Sequence, residues 1–320
     1  MASEPVVTVF DLTVGKRNAF WDSKSWPDYL ALTKPEVNFL IVVTTFAGFC
    51  LGCPSAWHDF PFLRSMGAVL GTLMVASGTG ALNQYIERRF DAQMRRTARR
   101  PLAAGRLNPS AVLWFGIALS VLGSVYLAAA VNLLASLLAV ATLLSYLFFY
   151  TPLKRKSPLC TLVGAFSGAM PPLIGWAAAS GRLSFGAWIL YSLLFLWQFP
   201  HFMSIAWIYR EDYARAGYLV LPRDEAARDR LVNWQTLLPL VLLAVVSLLP
   251  ALWPAMTSKS VVAYSIGAVL LCGCFLYSGA RFVLRKSNSS GRRLLAASII
   301  YLPSLFVLMI VLSRGSGGLH

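Results

Sequence analysis

The sequence predicts an all-α integral membrane protein built as a bundle of nine transmembrane helices. Of its 320 residues, 57% are hydrophobic and only 13% are charged, and the mean hydropathy is +0.63. This composition lies far outside the range of soluble domains. Apolar runs of about 20 residues, the length that crosses a ~30 Å hydrocarbon core as a helix, recur along the chain. None of them alternates with period two, as a strand of a membrane β-barrel would.

Nine apolar segments are predicted to span the membrane. The first follows Pro35 and Glu36, and the second ends where a run of arginines begins. Val131 and Asn132 separate the third segment from the fourth, so these two helices are predicted to form a tight antiparallel hairpin. The segments lie near 36–53, 65–86, 110–130, 132–150, 159–180, 184–208, 235–254, 261–280 and 294–313.

The fifth segment contains Pro171 and Pro172, followed by Gly175. These residues predict a break or kink near the middle of its helix. Irregular backbone at membrane depth is tolerated mainly where it lines a cavity, so this helix is a candidate wall of a buried site. The two longest connections, 88–109 and 209–234, are predicted to be loops that are too short to form separate domains.

Basic residues are concentrated on one side of the predicted bundle. All but four of the 28 Lys and Arg lie before the first segment or in alternate connections, the exceptions being Arg64, Arg182, Lys259 and Arg314. The positive-inside rule therefore places the N-terminus in the cytoplasm and the C-terminus outside. This distribution explains the net charge of +15 by membrane topology, so no nucleic-acid binding is expected.

Residues 1–30 are predicted to be a polar cytoplasmic tail, and residues 31–315 a single transmembrane domain. The tail lacks an apolar core and contains four acids, so it is neither a secretory signal nor an acid-poor transit peptide. A bacterial inner membrane is therefore favoured over an organelle.

The five cysteines are predicted to pack in or beside the apolar segments. Two of them form a CxxC pattern, but no second pair or nearby His stands at zinc-site spacing. Packing is therefore favoured over a metal or redox role for Cys50, Cys53, Cys160, Cys272 and Cys274.

The end of the second segment carries the first candidate site. Asn83, Glu87 and Asp91 are spaced four residues apart, which places them on one face of a helix with ~6 Å of rise between neighbours. Two carboxylates suit Mg²⁺ that also binds substrate phosphate oxygens, and the neighbouring arginines suit the phosphates themselves. The alternative is a solvated, arginine-rich loop in which the acids merely pair with arginine.

A second candidate site surrounds the end of the sixth segment. His201 lies within the segment among aromatic residues, and Glu211 and Asp212 follow about three helical turns later. The aromatic residues could line a pocket for a flat or polyene ligand, although a histidine that only packs is an equal alternative.

Tyr150, Lys154 and Arg155 form a third patch at another cytoplasmic helix end. Such a basic cluster could also face anionic lipid.

Several motifs together resemble the UbiA-type intramembrane prenyltransferases, and within them the branch that prenylates haem. These motifs are NxxxExxxDxxMxRTxxRPL from Asn83 to Leu102, YTxLKR from Tyr150, GAxPPxxGW from Gly168, PHF ending at Phe202, and EDYxxAG from Glu211. The resemblance covers about residues 30–315. It implies a nine-helix bundle around a lipid-accessible central cavity, with the active site near the cytoplasmic face.

The resemblance also implies an activity: transfer of a farnesyl group from farnesyl diphosphate to the 2-vinyl group of haem B, with water addition and with Mg²⁺ as cofactor. The product, haem O, would serve terminal oxidase assembly, and any haem-modifying or oxidase-assembly partner is not readable from the sequence. Lys34, Arg96, Arg100, Lys154 and Arg155 would then bind the diphosphate, and His201 would face the haem. The implied catalytic residues are Tyr150 and the metal ligands Asn83, Glu87, Asp91, Glu211 and Asp212.

Two departures from the family pattern and two alternative functions qualify this assignment. Glu87 stands where the family usually has Asp, and Glu211 with Asp212 replaces the usual DxxxD pattern. Prenylation of a quinone precursor or a chlorophyll-type ring would need the same diphosphate site. A transporter is disfavoured, because it would place ionisable residues near mid-membrane rather than at one face.

Overall fold

The computed structural model describes residues 26–53, 55, 57–253 and 256–314, so nearly all of the predicted N-terminal tail lies outside the described residues. Regular structure in these residues is entirely helical, as the sequence predicts. A π-helical turn, Ser145–Tyr150, joins α5 to α6, and short 3-10 helices occupy Trp57–Asp59 and Leu249–Leu252. The α-helices are α1 (Trp26–Leu32), α2 (Pro35–Gly52), α3 (Phe62–Asp91), α4 (Pro109–Ala130), α5 (Leu133–Leu144), α6 (Thr151–Leu153), α7 (Cys160–Gly168), α8 (Met170–Ser180), α9 (Phe185–Ile208), α10 (Arg210–Arg215), α11 (Glu225–Val246), α12 (Ser258–Arg285) and α13 (Asn288–Arg314).

Nine spans of the described chain are long and apolar enough to cross a membrane, which confirms the predicted number. Six are single helices. The other three are composite: Leu133–Leu153 combines α5, the π-helical turn and α6, Cys160–Ser180 combines α7 and α8, and Glu225–Leu252 combines α11 and a 3-10 helix. Outward-facing apolar side chains such as Leu270 and Ile300 stay exposed, as expected of a surface that faces lipid. The central cavity and the cytoplasmic N-terminus remain predictions.

Several helices extend beyond the apolar segments that predicted them. α3 continues to Asp91 rather than ending at 86, and α13 begins at Asn288 rather than 294. α11 begins at Glu225 rather than 235 because the Asp224 side chain caps it, accepting a hydrogen bond from the Ala227 N–H at 2.7 Å. Parts of the predicted loops 88–109 and 209–234 are therefore helical, since hydropathy detects only the part of a helix that lies in lipid.

Glycines bring the helices around α3 into backbone contact. A Cβ atom on Gly175 of α8 would overlap the Thr45 carbonyl oxygen of α2, and one on Gly78 of α3 would overlap Ser120 of α4. Close packing of this kind is typical where small residues face a neighbouring membrane helix. It encloses α3, whose end carries the first candidate site.

The predicted break in the fifth span lies at Ala169, between α7 and α8. Pro171 and Pro172 occupy the first turn of α8, where the missing N–H groups would have no helical partner in any case. Gln198 of α9 donates from Nε2 to the Ala165 carbonyl oxygen at 3.1 Å, so α9 supplies a polar contact beside the break. The irregular backbone is thus buried against protein rather than exposed to lipid.

Candidate active site

The polar residues of α3 lie together on one buried face, as their spacing predicts. Asn83, Glu87 and Asp91 are only 1%, 5% and 1% exposed. Asn83 Nδ2 donates hydrogen bonds to Glu87 Oε2 at 3.0 Å and to Thr151 Oγ at 3.2 Å. These contacts connect α3 to α6. The burial of all three side chains excludes the solvated-loop alternative for them.

Lys154 is the counter-ion of Glu87. Its Nζ atom lies 2.9 Å from Glu87 Oε1 and 3.1 Å from Oε2, and 4.5 Å from the ring centroid of Tyr150. The Leu219 N–H donates to the Lys154 carbonyl oxygen at 2.8 Å, which ties the loop after α10 to this turn. Burial opposes the charge of Lys154, but the Glu87 carboxylate raises the pKa of Lys154 well above its ordinary value. Lys154 therefore stays a cation.

Lys34 reaches the same cluster from the turn between α1 and α2. Its Nζ donates to Asn83 Oδ1 at 2.8 Å, and its backbone is left-handed (φ 52°, ψ 61°), which is uncommon for a residue with a side chain. Burial, together with the charges of Arg100 and Lys154, lowers the pKa of Lys34 to about 7. The part of this lowering that comes from Arg100 and Lys154 shows that cations converge on this site, where they would stabilise an anion.

Asp91 is held by the loop that follows α3. Arg100 donates from a guanidinium nitrogen to Asp91 Oδ2 at 2.7 Å, and the Thr97 hydroxyl donates to the Asp91 carbonyl oxygen at 2.8 Å. The other carboxylate oxygen, Oδ1, is buried and has no hydrogen-bond partner among the described residues. Because buried carboxylate oxygens are normally bonded, Oδ1 has unused capacity for a ligand.

Only one of the two acids after α9 turns inward. Asp212 is 9% exposed, and its Oδ2 accepts a hydrogen bond from the Arg96 backbone N–H at 3.2 Å, while Oδ1 accepts one from Arg215 at 3.1 Å. The Glu211 side chain is 81% exposed and lies 3.9 Å from Arg210. Asp212 thus joins the two loops, whereas the structure does not bring Glu211 to the cluster.

Two further predicted cations pack on aromatic rings. The guanidinium carbon of Arg96 lies 5.1 Å from the ring centroid of Tyr209, and that of Arg155 lies 4.1 Å from the ring centroid of Phe90. Cation–π contacts of this kind orient a guanidinium without using up all of its N–H donors. Both arginines could therefore still bind phosphate oxygens.

His201 lies between α9 and α13 rather than in the acid cluster. Its Nδ1 is 2.8 Å from Ser298 Oγ, and the Ser298 hydroxyl itself donates to the Leu295 carbonyl oxygen at 2.6 Å. This hydrogen-bond pattern assigns the imidazole proton to Nδ1, which leaves a lone pair on Nε2. The Trp197 ring stacks on the imidazole at 4.5 Å. The contact with Ser298 satisfies the hydrogen-bonding capacity of Nδ1, and Nε2 remains available to a ligand.

Tyr218 is a member of the cluster that the sequence patterns did not indicate. It is 5% exposed, follows Gly217 (φ 72°), and its hydroxyl is buried beside Glu87. Burial, and then the Glu87 charge, raise the pKa of Tyr218, so its hydroxyl stays protonated. The only signal in the sequence is its position directly after EDYxxAG.

The residues of the cluster fit a magnesium ion that is shared with a phosphate group. In the described part of the chain, no three His, Cys, Asp or Glu side chains converge to hold a metal ion by themselves. Mg²⁺ does not require such a cage, because it prefers one or two carboxylates, several waters and phosphate oxygens. The unpartnered Asp91 Oδ1 and the nearby Glu87 carboxylate match this preference.

Comparison with known proteins identifies the family. Residues 41–309 match the family model described as the UbiA prenyltransferase family, which is most of the chain. The chain belongs to the UbiA prenyltransferase family. A relative from Solibacter usitatus (strain Ellin6076), named protoheme IX farnesyltransferase, is 46% identical over 295 residues, which cover 89% of this chain and 98% of the relative. The resemblance inferred from the motifs is thereby confirmed.

Solved structures of UbiA proteins share the fold. A digeranylgeranylglyceryl phosphate synthase aligns with a TM-score of 0.71 at 17% identity, covering 91% of this chain and 99% of that one. A UbiA homologue from Archaeoglobus fulgidus, bound to GPP and Mg²⁺, aligns with a TM-score of 0.59 at 17% identity, covering 88% and 99%. At this identity the likeness supports the fold alone. Together with the nine apolar spans, family membership makes this chain a multi-pass membrane prenyltransferase.

Proposed function

We propose that this prenyltransferase transfers the farnesyl group of farnesyl diphosphate to the 2-vinyl group of haem B, adds water, and so forms haem O and diphosphate. The name of the Solibacter relative supports both substrates. The observation that carries the proposal is the buried cluster of Asn83, Glu87 and Asp91, which is bonded to cations and in which one carboxylate oxygen has no partner among the residues that the structure describes.

Charge complementarity favours a diphosphate in this cluster. Arg100 and Lys154 balance the two carboxylates, and Lys34, which contacts only an amide, adds positive charge whenever it is protonated; a bound anion would favour that protonated form. Each cation can transfer a hydrogen bond from its present partner to a phosphate oxygen, and charge-assisted bonds of this kind are strong. Arg96 and Arg155 would bind further phosphate oxygens from the surrounding loops.

The metal ligands we assign are Asn83, Glu87 and Asp91, with Asp212 as the acid of the second motif. A bound magnesium ion would supply Lewis-acid stabilisation of the departing diphosphate. We assign no such role to Glu211, because its side chain is exposed beside Arg210.

Each bond that breaks or forms in the proposed reaction can be accounted for with these residues and substrates. The bond between farnesyl C1 and oxygen breaks, and its electron pair leaves with the diphosphate, whose charge Lys34, Arg100 and Lys154 stabilise. The terminal vinyl carbon of haem B then bonds to C1, and water adds to the resulting cation beside the ring and loses a proton. Lys154 Nζ lies over the Tyr150 ring, and this π-face would stabilise the allylic cation once Lys154 turns towards the diphosphate. The burial of the cluster keeps other water from reaching that cation too early.

His201 is the residue we assign to contact with haem. The Nδ1–H group of His201 donates to Ser298, so the unprotonated Nε2 can approach the iron or the porphyrin edge. The stacked Trp197 ring extends the flat aromatic surface that a porphyrin would pack against. Because His201 lies on a different helix pair from the diphosphate cluster, donor and acceptor would occupy separate parts of the bundle.

We also propose that the protein resides in a bacterial inner membrane, with residues 31–315 as one catalytic domain. The bacterial source of the relative and the one-sided distribution of Lys and Arg support this location. The basic loops that contain Arg100 and Lys154 would then face the cytoplasm.

The test is to incubate the purified protein with haem B, farnesyl diphosphate and Mg²⁺, with and without a chelator, and to analyse the products by mass spectrometry. A product heavier than haem B by one farnesyl group plus water, formed only without the chelator, is expected. If folded protein binds farnesyl diphosphate but forms no such product, the acceptor is another ring, such as a quinone precursor or a chlorophyll-type ring. Product formation that persists fully in the chelator would refute the metal assignment.

A further inference from the structure

Two buried polar atoms of the candidate active site have opposite chemical requirements. In the part of the chain that the structure describes, the Asp91 Oδ1 atom and the Tyr218 hydroxyl are both buried without a hydrogen-bond partner. Asp91 Oδ1 is an acceptor and a potential metal ligand, whereas the protonated Tyr218 hydroxyl is a donor. Buried polar groups are nearly always bonded, so each calls for an explanation.

The Tyr218 side chain is held in place by contacts other than its hydroxyl. Its ring packs edge-on against Phe90 at 6.1 Å and against Tyr213 at 6.0 Å. Its backbone N–H donates to the Tyr213 carbonyl oxygen at 2.9 Å, and the next residue, Leu219, is bonded to Lys154. The hydroxyl is therefore fixed inside the cluster and does not turn out to solvent.

The Glu87 carboxylate lies beside the Tyr218 hydroxyl and interacts with it, but no well-aligned hydrogen bond joins the two groups, and Glu87 already accepts hydrogen bonds from Lys154 and Asn83. Among the described residues, no group therefore depends on the Tyr218 hydroxyl as its hydrogen-bond donor. A ligand that brings both a metal ion and anionic oxygens would satisfy Asp91 Oδ1 and the Tyr218 hydroxyl at once. A metal-bound diphosphate has these two properties.

We propose that the Tyr218 hydroxyl donates a hydrogen bond to the diphosphate of the prenyl donor, which makes Tyr218 a substrate-binding residue from the second loop. This assignment rests on the proposed function. It gives the loop after α10 a direct contact with the substrate, in addition to its backbone contact with Lys154.

The test compares Tyr218→Phe with wild-type protein in calorimetric titrations with inorganic pyrophosphate plus Mg²⁺, farnesyl diphosphate plus Mg²⁺, and farnesol. The variant keeps the ring and removes only the hydroxyl. Binding of both phosphate compounds is expected to weaken roughly tenfold or more, because a hydrogen bond to a charged group is lost, while farnesol binding is unchanged. The matched control is Tyr126→Phe on α4, whose hydroxyl lies near Gly67, about 24 Å along α3 from Asn83.

The outcomes separate this proposal from the proposed function. If wild-type protein does not bind pyrophosphate with Mg²⁺, the assignment of the diphosphate site itself is wrong. If wild type binds and Tyr218→Phe binds equally well, the Tyr218 proposal is overturned and the site stands. A parallel loss of farnesol binding would also overturn it, since Tyr218 would then act by packing. Should the variant be less stable, the rise in Tm that pyrophosphate produces, measured from the variant's own unliganded Tm, still reports the lost contact.

Discussion

Asp91→Asn should change diphosphate affinity in opposite directions with and without magnesium. The substitution keeps the shape of the side chain and removes its charge. Without metal, the Asp91 carboxylate repels a bound diphosphate, so the asparagine variant is expected to bind pyrophosphate more tightly than wild type. With Mg²⁺, the Asp91 Oδ1 atom, which has no partner in the described part of the chain, can bind the ion, so the variant is expected to bind pyrophosphate more weakly.

The size of the effect without metal follows from Coulomb's law. Two unit charges about 4 Å apart interact by about 4 kcal/mol at an effective dielectric constant of about 20. Arg100, which lies 2.7 Å from the other oxygen of Asp91, offsets part of this repulsion. We therefore expect a gain in affinity of roughly tenfold to a hundredfold, which corresponds to about 1.4 to 2.7 kcal/mol.

The assay is a calorimetric titration of pyrophosphate into wild type and variant, in EDTA and in saturating Mg²⁺. Asp229→Asn is the matched control, because Asp229 is paired with Lys286 at the start of α11, away from the cluster, and should leave both affinities unchanged. A loss of affinity of equal size in EDTA and in Mg²⁺ would refute the reasoning. Asp91 would then act only by positioning Arg100.

Three further predictions concern the turn before α2, the haem contact and the helix packing. Lys34→Gly and Lys34→Ala should both weaken pyrophosphate binding, but the glycine variant should unfold at a higher temperature, because only glycine adopts the left-handed backbone without a cost of about 1 kcal/mol. His201→Ala should weaken haem B binding, followed by absorption spectroscopy, and leave pyrophosphate binding unchanged; an unaltered haem titration would contradict the assignment. Gly175→Ala should destabilise the protein by about 1 to 3 kcal/mol, because the added Cβ would overlap the Thr45 carbonyl oxygen. Gly273→Ala should not, because no described atom lies close to a Cβ at that position.

The parts of the fold that lie in lipid follow directly from the sequence. A helix in lipid needs about 20 consecutive apolar residues and must satisfy its backbone hydrogen bonds internally. The nine spans and the break before Pro171 can therefore be predicted from sequence patterns. Asn83, Glu87 and Asp91 are readable for the same reason, because their spacing on α3 fixes one face. These features depend on local periodicity alone.

The partners of those three residues could not be read in the same way. Lys34 reaches Asn83 through a left-handed turn, and Tyr218 enters the cluster from a loop without periodicity. The sequence motif also offered Glu211 and Asp212 equally as metal ligands, although only Asp212 is buried. Which side of a loop turns inward depends on tertiary packing, and no helical or strand period encodes it.

The loop after α3 couples the two acidic motifs, because it is bonded to both of them. Arg100 binds Asp91 in the first motif, and the backbone N–H of Arg96 binds Asp212 in the second. Among the described residues, Asp91 Oδ1 has no hydrogen-bond partner, whereas both oxygens of Asp212 already accept hydrogen bonds, one of them from Arg215. Asp212 would therefore have to give up a bond to the protein in order to bind a metal ion, whereas Asp91 would not.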